Sequence, residues 1–171
     1  MRKLLFLLPL LIVLVSCASR EVPATKLQTA NVLPLAIDDA FQFRKQKLEF
    51  YSPEVETIRN LSETVAFERQ RRLWGTVTEA DRERLHGNYF SFFWRASTEA
   101  DVTVRLEYRQ AALGNYVMAQ ERYYPSARGS FQSDFKIIGD DYLEFGRVTS
   151  WRAVLIVDGR IVALSQSFIW R

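Results

Sequence analysis

From residue 89 onward the chain is a succession of short β-like segments separated by turn residues. Residues 102–108 alternate strictly between apolar and polar side chains, which is the period of a half-buried strand. The C-terminal stretch 151-WRAVLIVDGRIVALSQSFIW-170 sets Asp158-Gly159 between two apolar runs, a strong hairpin signal. Further strands are expected at 89–96, 116–124 and 131–138. The pattern predicts a mainly β fold, an antiparallel β-sandwich over residues 63–171.

The two faces of the segment 89–96 differ in character. One face is wholly apolar and should be core; its residues are Phe90, Phe92, Trp94 and Ala96. The strand rhythm is loosely similar to that of immunoglobulin-like and fibronectin-type sandwiches. The disulfide of antibody domains has no counterpart, because the chain contains one cysteine.

The region before residue 89 gives weaker signals. Residues 36–62 are expected to form an N-terminal extension, either a short helix beginning at Ser52-Pro53 or an irregular segment, although 40–44 alternates as a strand would. Residues 63–74 fit either a helix ending at Gly75 or a strand, and we favour the strand. Thr78 and Asp81 resemble a capping box, which predicts a short helix ending at Gly87.

The N-terminus reads as an export signal. Arg2 and Lys3 precede an apolar run, 4–15, of about 18 Å as a helix, which is too short for a hydrocarbon core of about 30 Å. Residues 14-LVSC-17 then resemble the lipobox of bacterial lipoproteins: an aliphatic residue, a small or β-branched residue, a small residue and a cysteine.

The lipobox resemblance implies a lipid-anchored protein. It assigns cleavage between Ser16 and Cys17 and a diacylglyceryl group on the Cys17 sulfur, which excludes that sulfur from catalysis, metal binding and disulfides. The alternative is ordinary secretion with cleavage after Ala18. Residues 17–35 resemble the flexible tether that follows a lipidated cysteine. Alanine rather than aspartate after the cysteine points, by the same resemblance, to the outer membrane of the bacterial envelope.

The charge balance excludes nucleic acid as a partner. The chain has 23 Lys and Arg against 20 Asp and Glu, and removal of Arg2 and Lys3 leaves 21 basic side chains. A nearly neutral protein has no electrostatic attraction to a phosphate backbone.

Catalytic and metal-binding motifs are scarce. His86 is the single histidine and should be structural or exposed, since no second histidine or unmodified cysteine exists to pair with it. Asp140, Asp141 and Glu144 form an acidic loop that fits a turn better than a calcium site. The sequence therefore predicts no enzyme, no metal and no cofactor.

The best candidates for a binding surface are Arg95, Arg105, Arg109 and Trp151, which lie on predicted strands. With Glu107 and Arg152, the arginines suit a ladder of cross-strand ion pairs, or a surface for an anionic glycan. The expected function is a membrane-anchored, non-enzymatic binding or assembly module with an envelope protein as partner. A carbohydrate-binding module for cell-wall or surface polysaccharide is the alternative.

Overall fold

The computed structural model describes residues 22–53 and 73–170, together with Phe67, Gln70 and Arg71. Within 22–53 and 73–170, the strands form one six-stranded antiparallel sheet, accompanied by two short α-helices. The elements are β1 (Thr25–Leu27), β2 (Phe41–Tyr51), α1 (Glu79–Glu83), β3 (Gly87–Gln110), β4 (Met118–Ile138), α2 (Asp140–Phe145), β5 (Val148–Val157) and β6 (Arg160–Gln166). The prediction of a mainly β, antiparallel, sandwich-like fold is confirmed.

The sheet folds back on itself because its two longest strands run through both layers. β3 pairs with β4 along nearly all of its length, while its first part also pairs with β2 and its second part with β5. The ladder between β3 and β4 is irregular from Ala96 to Val102. We call this bend, residues 97–101 and 125–128, the corner. In an immunoglobulin sandwich the two layers are instead separate sheets.

The first layer contains β2, residues 87–96 of β3 and residues 129–138 of β4. The second layer contains β1, residues 118–124 of β4, residues 102–110 of β3, β5 and β6. Their facing sides enclose the core, where the Phe92 ring lies 5.4 Å from Trp151 and the Trp94 ring 5.2 Å from Tyr124. The predicted apolar face of 89–96 is confirmed as core, since all four side chains are buried.

The molecule has two distinct ends. At the corner end, β2 begins with Phe41, which faces Ala96 of β3. The turn between β5 and β6 lies at the same end, because Ile156, close to that turn, faces Thr103, close to the corner. At the opposite, open end, the first layer stops where Gly87 faces both Tyr51 and Ile138. Helix α2 belongs to this open end, because the Gln110 side chain donates hydrogen bonds to the carbonyls of Asp141 and Gly146.

The segment expected to be a tether is largely part of the body. β1 pairs with β4, with Thr25 opposite Glu121. Further along, the backbone N–H of Ala36 donates a hydrogen bond to the Ile161 carbonyl, and the N–H of Ile161 donates to the Pro34 carbonyl at 2.9 Å. A flexible tether over 17–35 is therefore wrong from Val22 onward, since paired backbone groups hold this segment against the sheet. Cys17 and the signal peptide lie outside the described residues.

Two other expectations before residue 89 need correction. Residues 41–51 are an 11-residue strand of the sheet rather than an extension that is helical or irregular. In 63–74, the described residues Phe67, Gln70 and Arg71 are helical, so the strand is wrong where it can be checked. The helix expected after Ser52-Pro53 lies outside the described residues. The capping box is confirmed, because Thr78 and Asp81 each accept a hydrogen bond from the other's backbone N–H.

Candidate functional site

The predicted ladder of ion pairs lies on the outer face of the second layer. Arg105 Nε donates to Glu121 Oε1 at 2.6 Å, across β3 and β4. Arg152 donates to Glu107 Oε2 from Nε at 2.9 Å and from Nη2 at 2.6 Å, across β5 and β3. Arg105 and Glu107 share this face two residues apart, with 3.6 Å between Nη1 and Oε1. Alternating charges thus connect three strands.

This ladder is covered by both terminal segments of the described chain. Arg105 Nη1 donates to the carbonyl oxygen of Asn31 at 2.9 Å. The Trp170 ring lies over Arg109 and Arg152, at 4.6 and 5.3 Å from their guanidinium carbons. Arg105 is only 7% exposed and Glu107 5%. The ladder fastens the two termini to the sheet and leaves Arg105 little surface to offer a ligand.

The structure does not bring the four predicted surface residues together. Trp151 is 8% exposed and packs in the core against the rings of Phe90 and Phe92. Arg105 belongs to the covered ladder, and Arg109 lies under the Trp170 ring. Arg95 alone is exposed, and it lies on the outer face of the first layer, where it faces Gln42 and Ser130.

The histidine and the acidic segment both lie at the open end. The His86 ring is 4.5 Å from the Tyr142 ring and 5.6 Å from the Phe50 ring, so it belongs to a cluster of aromatic rings. Asp140 and Asp141 begin helix α2 rather than a loop, and Asp141 forms an ion pair with Lys26. Within the described residues, no group of three or more His, Cys, Asp or Glu side chains is arranged to hold a metal ion.

Exposed apolar side chains accumulate at the open end, a feature that the sequence reasoning missed. Phe50 is 50% exposed at the end of β2, and Leu143 is 61% exposed on α2. Phe168 is 92% exposed directly after Ser167, whose backbone N–H donates to the Trp151 carbonyl. The sequence signal for this patch was the pair Phe168-Ile169, two adjacent large apolar residues shortly after β6.

A groove of about 490 Å³ runs over the outer face of the first layer. Its floor is formed by neighbouring side chains of β3 and β4, among them Ser91, Phe93, Gln132, Asp134 and Lys136. The lining combines aromatic rings, of which Phe93 is half-buried, with hydrogen-bonding groups of both charges. Lys47 and Glu49 also line the groove and form an ion pair, with 2.7 Å between Nζ and Oε1. Such a surface can bind a polar ligand.

Asp101 and Tyr108 are among the titrating groups whose pKa values are displaced by their surroundings. The pKa of Asp101, at the corner, lies below its ordinary value because the Ser126 backbone N–H and the Tyr123 hydroxyl donate to its carboxylate, at 2.8 and 2.7 Å. Burial raises the pKa of Tyr108 in the core, although a hydrogen bond with Gln120 opposes part of this shift.

Comparison with protein-family models, with curated proteins and with solved structures finds no match to this chain. Within residues 22–53 and 73–170, no helix is both long enough and apolar enough to span a bilayer. Function must therefore be argued from the surfaces themselves.

Proposed function

We propose that this protein is a lipid-anchored component of the bacterial envelope, held in the outer membrane through Cys17, and that its body is a non-enzymatic assembly module. The partner we propose is another envelope protein, which docks on the open end. The lipobox-like residues 14–17 support the anchor. The apolar character of the open end supports the partner.

The position of Val22 supports an orientation for the anchored body. Val22 packs against the core and precedes β1, where Thr25 faces Glu121. Antiparallel pairing carries the chain before Thr25 toward Tyr124, which borders the corner. Four residues lie between Cys17 and Val22, so the five steps along the chain span about 17 Å at full extension. The corner end then lies against the membrane, and the open end points away from it.

The observation that carries the proposal is the group of exposed apolar side chains at the open end. Phe50, Leu143 and Phe168 are each at least half exposed there. Exposed apolar side chains gathered in one region are a mark of protein interfaces, and aromatic residues are enriched in the cores of those interfaces. An anchored protein presents this end to the space beyond the membrane, where another envelope protein can reach it.

The proposal is tested by site-specific photocrosslinking in intact cells. A photoreactive residue replaces Leu143 at the open end, and in a matched control it replaces Glu99 at the corner end, which is also exposed. We expect one dominant protein adduct from position 143, its loss in Phe168→Ser, and no such adduct from position 99. Equal adducts from both positions, or retention in Phe168→Ser, would contradict docking on the open end. A Cys17→Ala variant tests the anchor separately by membrane fractionation.

A polysaccharide ligand is the second candidate, and the groove of the first layer favours it. Phe93 supplies a ring, and Gln132 and Asp134 supply acceptors and donors for hydroxyl groups. Binding of purified cell-wall or surface polysaccharide that is lost in Asp134→Asn and retained in Glu144→Gln would favour this function. Absence of binding by the wild-type protein would remove it.

A further inference from the structure

Three arginines lie on the outer side of the sheet, in the corner or next to it. They are Arg44 of β2, Arg95 of β3 and Arg128 of β4, and all three are exposed. Arg95 faces Gln42 on one side and Ser130 on the other. Arg128 is two residues from Ser130 and points to the same face, since Ala127 between the layers is buried. The three guanidinium groups thus come from three adjacent strands.

The arginine at position 44 occupies an irregularity of the sheet. The register between β2 and β3 shifts between Phe43 and Lys45, so Arg44 is the extra residue of a bulge and has no partner across the ladder. A bulge re-aims the side chain that it carries. Here it places Arg44 and Arg95 at the same hollow, which has a volume of about 210 Å³. The hollow is also lined by Ala40, Gln42 and Ser97.

The charges of these arginines are not neutralised by the parts of the chain that the structure describes. No ion pair or side-chain hydrogen bond links the guanidinium groups of Arg44, Arg95 or Arg128 to another residue of 22–53 or 73–170. The hollow is lined by no carboxylate. Asp101, at the corner, is already held by Ser126 and Tyr123. Like charges on neighbouring strands are destabilising, so this arrangement is suited to an anion from outside.

We propose that Arg44, Arg95 and Arg128 bind the phosphate groups of anionic lipids in the membrane that anchors Cys17. The inference rests on the proposed function, because the anchor is what places the corner end at the membrane. Guanidinium groups bind phosphate oxygens through paired, charge-assisted hydrogen bonds, and the Ser97 hydroxyl adds a further donor at the hollow. The lipid on Cys17 retains the protein at the membrane, and the arginines set the orientation of its body.

The orientation is measured on the lipidated full-length protein in vesicles. Thr98→Cys, at the corner, receives a fluorophore, because acylation of Cys17 leaves no other thiol. Nitroxide-bearing lipids report how close the label lies to the membrane, in phosphatidylcholine vesicles and in vesicles that also contain phosphatidylglycerol. We expect stronger quenching in the anionic vesicles, and we expect Arg95→Gln and Arg44→Gln to remove this increase. Arg147→Gln, an exposed arginine of the open end, is the matched control and should retain it.

A titration with inorganic phosphate, without vesicles, tests the site itself. The label should respond saturably, and each arginine removed should raise the dissociation constant about tenfold. A response that is the same in wild type and Arg95→Gln would overturn the site. A phosphate response without any difference between the vesicles would overturn the membrane as its source. Intact mass spectrometry of Cys17 decides the anchor independently, so failure of the anchor and failure of the arginine site are distinguishable.

Discussion

Arg152 of β5 donates two hydrogen bonds to a single oxygen of Glu107 on β3, from Nε at 2.9 Å and from Nη2 at 2.6 Å. Glu107 is 5% exposed and also lies 3.6 Å from Arg105. One buried carboxylate therefore compensates two arginines on a face that both termini of the described chain cover. The ladder couples the N-terminal segment, the sheet and Trp170 into one unit.

Glu107→Gln should lower the free energy of unfolding by about 3 kcal/mol, because it leaves Arg105 buried with one fewer counter-charge. Urea denaturation followed by tryptophan fluorescence measures the change. Glu144→Gln, on an exposed helical position, should stay within about 0.5 kcal/mol of wild type. Equal effects of the two substitutions would show that the ladder does not stabilise the fold.

Ser133 is the shared partner of two buried aromatic residues from different layers. Trp94 Nε1 donates to Ser133 Oγ at 2.9 Å, and the Tyr124 hydroxyl lies 2.7 Å from the same oxygen. Ser133→Ala should lower the free energy of unfolding by about 2 kcal/mol, because the indole N–H is left buried without its acceptor. Ser130→Ala, exposed on the same strand, is the control and should change it little. Thermal unfolding that is identical in both variants would contradict this role.

Gly87 closes the first layer at a point where no side chain fits. Its φ is +145°, and a Cβ atom there would lie 2.2 Å from the Ile137 carbonyl oxygen. Gly87→Ala should therefore cost about 3 kcal/mol or more. Gly159→Ala, with φ +70° and open space around it, should cost about 1 kcal/mol. Expression yield and urea midpoints measure both, and a Gly87 variant no less stable than the Gly159 variant would refute the close approach.

Asp101 should make stability depend on acid pH. Its pKa in the folded protein is below the ordinary 3.8. The carboxylate therefore favours the fold at pH above 3.8, and this contribution is lost as pH falls through the lowered folded pKa. Wild type should exceed Asp101→Asn in stability at neutral pH and converge with it in acid. A difference between the two proteins that stays constant from neutral to acid pH would contradict this assignment.

Much of the sheet was predictable because its signals are local. The Asp158-Gly159 hairpin forms with φ 49° and 70°, the two positive values that its tight turn requires. The alternation over 102–108 correctly separates the core face of β3 from the face that carries Arg105 and Glu107. The burial of Trp151 was harder to predict, because both faces of β5 are covered. Leu155 lies in the core, and Ile156 packs against Leu33 on the other face. The exposure of Trp151 could not be predicted from a periodic pattern.

The sequence by itself determined the β class, the inner face of 89–96, the capping box and the lipobox-like N-terminus. Each of these depends on residues close together in the chain. Only the tertiary structure decided that β3 and β4 serve both layers, that residues 22–38 cover the second layer, and that the bulge at Arg44 meets Arg95. These pairings join residues far apart in sequence. Their partners are selected by the packing of the whole core, which no short window of sequence contains.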